Sequence, residues 1–126
     1  MVKAAAERVT EYLRDLVDDD LRAVVIVAED DYELHHLAPD LRAKYSKDTF
    51  GKVVETFQLK QPLFSPDIRE YPIGERRAVV HYHEHAFVLQ FPYSAERTIL
   101  ISVTREVGRD LLGFIEECRK LVHRER

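Results

Sequence analysis

Residues 23–28 read Ala23-Val24-Val25-Ile26-Val27-Ala28, six apolar side chains in a row, four of them β-branched. A strand with one wet face alternates polar and apolar residues. This one does not alternate, so it predicts a central strand covered on both sides. Two-sided cover in turn requires a layer of structure above and another below the sheet.

The flanking sequence supplies those layers. Upstream, Ala5, Val9, Tyr12, Leu13, Leu16 and Val17 recur at helical spacing, with Glu7, Arg8, Glu11, Arg14 and Asp15 on the remaining face. Asp18-Asp19-Asp20 places like charges at the negative end of the helix dipole and ends the helix there. Downstream, Glu29-Asp30-Asp31 is a polar turn, and Tyr32 to Leu37 returns as a half-exposed edge strand. A helical region in two pieces follows. Pro39 and Asp40 suit a first helical turn, and Ser46 is placed to cap a second piece whose stripe is Phe50, Val53, Val54 and Phe57.

Residues 60–77 carry Pro62, Pro66, Pro72 and Gly74 and are expected to form a long loop. Its apolar residues, Leu63, Phe64, Ile68, Tyr71 and Ile73, are expected to pack across the body of the domain. Three strands then follow at Ala78 to His83, Ala86 to Phe91 and Thr98 to Val103. Thr104 is expected to cap a final helix with the stripe Val107, Leu111, Phe114, Ile115, Cys118, Leu121 and Val122. The fold class is therefore α+β: one five-stranded, mainly antiparallel sheet with helices on both faces, in the order α-β-β-α-β-β-β-α.

Composition narrows the function classes. The 126 residues fit one domain, 1–126, able to bury a core without disulfides or structural metal. With 45% hydrophobic residues and a net charge of −4, the chain is not intrinsically disordered. Cys118, the single cysteine, reads as a small buried hydrophobe and fits a reducing compartment. The first ten residues carry Lys3, Glu7 and Arg8 with no apolar signal core, so the expected location is cytoplasmic. Acidic residues outnumber basic ones, 23 to 19, which disfavours nucleic acid and anionic membrane as partners. The four glycines are scattered and form no phosphate-binding loop, and there is no nucleophile elbow. No catalytic signature is present, and no cofactor is expected.

The order of elements resembles the roadblock/dynein-light-chain family and, more broadly, the profilin-like group. That resemblance spans nearly the whole chain and is one of topology. It implies a homodimer whose seam runs along the middle helix, about 48–57, and the third strand, about 78–83. Phe50, Val54, Val79, His81 and His83 are the interface residues it designates. It also implies a partner protein, a small GTPase among the possibilities. A shorter stretch, Asp30 to Leu37 followed by Tyr45-Ser46, resembles small proteins common in haloarchaea, and the excess of Arg over Lys, 13 to 6, suits a GC-rich genome.

One cluster is suggestive of chemistry: His81-Tyr82-His83-Glu84-His85. On a strand His81 and His83 share a face, about 7 Å apart. Such a pair can present two imidazoles to zinc if further ligands come from elsewhere, His85 being the nearest candidate. The same residues also fit an edge strand whose histidines pack against a second copy of the chain. Small-ligand sensing in a pocket beneath the proline-containing loop is a third class.

Overall fold

The computed structural model describes residues 1–58, 71–74, 76–113 and 121. Helix α1 (Val2–Val17) leads through a 3-10 turn at Asp18–Asp20 into β1 (Leu21–Val27). Strand β2 (Tyr32–Leu37), helix α2 (Pro39–Lys44) and helix α3 (Lys47–Glu55) follow, then β3 (Val79–Tyr82), β4 (Phe87–Pro92) and β5 (Thr98–Val103). The five strands form one sheet in the order β2-β1-β5-β4-β3, and every pairing in it is antiparallel. The α+β class and the order of elements are those expected. No helix among the described residues is long and apolar enough to cross a membrane.

Strand β1 is covered on both sides, as its composition requires. Ala23, Val25 and Val27 meet Leu41, Val54 and Phe57 from α2 and the α3 region, while Leu21, Val24 and Ile26 meet Val2 and Ala6 of α1. The strand starts two residues earlier than expected because of a bulge. Leu21 pairs with Val103 and Ala23 with Ser102, so Arg22 is the extra residue. Its insertion lets Leu21 and Val24 share the α1 face although they lie three positions apart.

Helix α3 is capped as predicted: the Ser46 hydroxyl accepts a hydrogen bond from the Thr49 backbone N–H at 3.1 Å, a contact of a kind that contributes about 1 kcal/mol. Helix α1 rotates differently from the expected stripe. Val2, Ala6 and Thr10 are buried, with Ala5, Val9, Leu13 and Val17 beside them, whereas Tyr12 and Leu16 stand exposed. Residues 2, 6, 9, 13 and 17 define the contact line; Tyr12 lies about 100° off its centre and Leu16 about 60° off it, on the same flank. Thr10 is tolerated inside because its hydroxyl donates to the Ala6 carbonyl at 2.7 Å.

Three further expectations need correction. Thr104 provides no side-chain helix cap. Its hydroxyl instead donates to Asp20 Oδ1 at 2.9 Å, tying the end of β5 to the turn before β1. The chain then enters a 3-10 turn, Arg105–Gly108, before residues 109–113 become α-helical. Three residues per turn in place of 3.6 rotates the stripe, so Val107 and Leu111 are exposed and Gly108 and Leu112 face inward. Leu121 is exposed as well, and Phe114, Ile115, Cys118 and Val122 lie outside the described residues. Most of the 60–77 loop, with Leu63, Phe64 and Ile68, also lies outside them. The described part, 71–74, does not pack across the body. It closes on itself through Gly74 N–H to the Tyr71 carbonyl, with Gly74 at φ 78°, and leaves Tyr71 exposed and Ile73 85% exposed.

Candidate functional site

The β3–β4 hairpin carries the histidine cluster. His83 N–H donates to the Ala86 carbonyl at 2.9 Å, which makes Glu84-His85 the two-residue turn. His81 and His83 project to one face, as strand spacing predicts, and both rings meet the Phe57 ring edge-on, with centroids 4.9 and 5.7 Å away. His85 is carried away from them by the turn. Its side chain is 82% exposed, with Nε2 3.9 Å from a Glu84 carboxylate oxygen.

Sequence reasoning missed Gln90, the residue that organises this face. Gln90 is 1% exposed, and all its side-chain bonds are internal. The amide nitrogen donates to the Phe57 carbonyl at 3.1 Å and to Thr98 Oγ1 at 3.0 Å, and the amide oxygen lies 2.9 Å from His81 Nε2. A carbonyl accepts only from the NH2 end, so Phe57 sets the orientation of the amide. The oxygen that remains requires His81 Nε2 to carry its proton and donate. Only Nδ1 of His81 is then left for another partner. The signal for Gln90 was a lone polar residue at an inward position in an otherwise apolar strand.

No group of three His, Cys, Asp or Glu residues able to hold a metal ion occurs among the described residues. His35 and His36 sit on β2, at the opposite edge of the sheet from β3. Burial first, then Arg14, Arg42 and His35, hold the His36 pKa below the ordinary 6.5. The unfolded chain therefore binds this proton more readily than the folded one. Stability from His36 is full above the ordinary value and falls as pH drops through the lowered one. In His36→Gln, the loss of melting temperature between pH 7.5 and pH 5 is expected to be smaller than in the parent, as thermal melts at the two values will measure.

Beside the hairpin, between the α2–α3 layer and the sheet, is a cavity of about 440 Å³. Its walls include Val25, Val54, Phe57, Val88 and Leu100, and Arg22, Ser102, His83, Glu84 and His85 are among its polar groups. Volume and lining suit a small ligand. Arg22 reaches this face because of the bulge in β1, which leaves Arg22 and Ala23 together on the side opposite Leu21 and Val24. Its Nε is buried without a hydrogen-bond partner. An unsatisfied buried donor of this sort costs on the order of 1–3 kcal/mol.

The designated interface residues divide into two groups. Val54 is 3% exposed and is spent in the chain's own core. Phe50 is half-buried, its ring edge-on to Tyr32 and Tyr45. Val79 and His81 are half-buried on β3, His83 is exposed just beyond it, and Val80 on the other face of the strand is 46% exposed.

Residues 7–123 match a protein-family model described as a domain of unknown function (DUF7522). No curated protein matches the chain.

Proposed function

We propose, from the premise that this chain belongs to the DUF7522 family, that it is a non-catalytic cytoplasmic interaction module of roadblock-like architecture. It pairs with a second copy of itself through β3, with α3 alongside. The observation that carries this reading is the contrast between the two edges of the sheet. Strand β3 bonds to β4 and to no other strand among the described residues, and its sequence, Val79-Val80-His81-Tyr82, has no Lys, Asp, Glu or Pro. Strand β2 is guarded. Glu33 lies within it, Lys3 of α1 stands 3.2 Å from that carboxylate, and the pairing with β1 shifts register between Val24 and Val25. Charges and bulges are the ordinary means of blocking an edge, and β3 has neither.

An isologous pairing of β3 with β3 across a two-fold axis joins two sheets into one of ten strands. A partner protein, for which the roadblock resemblance suggests a small GTPase, then meets a surface built from both copies. Sedimentation at tens of micromolar tests the pairing. The parent is expected at the mass of two chains, and Val80→Lys at the mass of one with an unchanged circular dichroism spectrum. A parent protein that sediments as a single chain overturns the reading.

A further inference from the structure

The geometry points to a second role and to the class of ligand: the cavity between α2–α3 and the sheet binds a small organic monocarboxylate, with its apolar tail inside and its headgroup on Arg22. Four observations converge on this. The guanidinium enters no ion pair among the described residues, and its Nε is buried without a partner. A β-bulge, a device that re-aims one side chain, turns Arg22 onto the cavity face. The walls it meets there are aliphatic and aromatic: Ala23, Val25, Val54, Phe57, Val88 and Leu100. Ser102, opposite Ala23 in the sheet register, adds a hydroxyl to the same lining.

These features select a class of ligand. Arginine is donor-only and its fork matches a carboxylate. An apolar volume of about 440 Å³ is wasted on a bare inorganic anion and suits a medium hydrocarbon or aryl body. Among the described residues Arg22 is the one Lys or Arg in the lining, so a single negative charge is matched, and a phosphate dianion would leave a second charge against apolar walls. The site does not depend on self-pairing. Val80, whose substitution tests the dimer, lies on the opposite sheet face, with Phe87, Leu89 and the 3-10 turn.

The probes are decanoate, 1-decanol and inorganic phosphate, titrated by calorimetry into the parent and into Arg22→Met. Decanoate is expected to bind the parent saturably, one per chain. Decanol is expected to bind at least about tenfold more weakly, the loss of one charge-assisted interaction, and phosphate not at all. Arg22→Met is expected to bind decanoate at least about tenfold more weakly than the parent, and to melt no lower, because the parent guanidinium is unpaired. Failure of decanoate to bind the parent overturns the proposal, as does equal affinity for decanoate and decanol. Unchanged decanoate affinity in Arg22→Met also overturns it. An Arg22→Met protein that fails to fold overturns it too, by showing that the arginine is structural.

Discussion

Gln90→Leu is expected to destabilise the fold by roughly 2–3 kcal/mol, or about 10 °C in melting temperature. Leucine is close to glutamine in volume, so the packing of β4 is largely retained, and the loss comes from the groups left behind. The Phe57 carbonyl, the Thr98 hydroxyl and His81 Nε2 all point at the amide of Gln90, and Gln90 is almost fully enclosed. Thr98 and His81 are half-buried and can turn towards water. The Phe57 carbonyl is main chain and cannot turn. The bond it loses is also the one that spans 33 residues, joining the end of α3 to β4. Thermal and urea melts of the two proteins measure the effect. Equal stability would mean that the amide network contributes no more than a leucine packed in its place.

Gly108→Ala is expected to cost about 2 kcal/mol by overpacking. A Cβ at that position falls 2.5 Å from Phe87 Cε2 and 2.9 Å from Cδ2, well inside contact distance. Phe87 has little room to retreat. It is 2% exposed, and its ring lies 5.4 Å from that of Tyr82. The position needs glycine for space alone, since Gly74 is the only glycine with positive φ among the described residues. The urea midpoint should fall with an unchanged slope, which separates lost stability from a change in the unfolded chain. Phe87→Leu introduced into the alanine variant should cost less than the same change made in the parent, because the two residues compete for one space. Additive costs would show instead that the 3-10 turn shifts to accommodate the methyl group.

Much of the architecture was legible in the order of residues because it depends on local periodicity. The unbroken run in β1 demanded cover on both faces and obtained it. Ser46 announced α3 with a side chain that reaches only three residues along, and the polar turn at 29–31 announced the return of β2. The errors share a cause. The stripe of α1 was displaced because Tyr12 and Leu16 are as apolar as the buried residues, and only the position of the sheet determines which flank of a helix is wet. The start of the final segment, as far as residue 113, was misphased because its first turn is 3-10, a change of pitch that periodicity at 3.6 does not reveal. Thr104 had the right chemistry for a cap, but Asp20, 84 positions away, takes its hydroxyl.

For the candidate site the division is sharper. The chain alone determined that His81 and His83 share a face and that β3 carries no charged residue, since alternation along a strand and its composition need no distant partner; its place at the edge comes from the order of the sheet. Whether Arg22 faces a cavity, and what Gln90 holds, were decided only in three dimensions. One extra residue in a ladder reverses the side to which each side chain before it points, and the register that places the extra residue comes from a strand some eighty positions later.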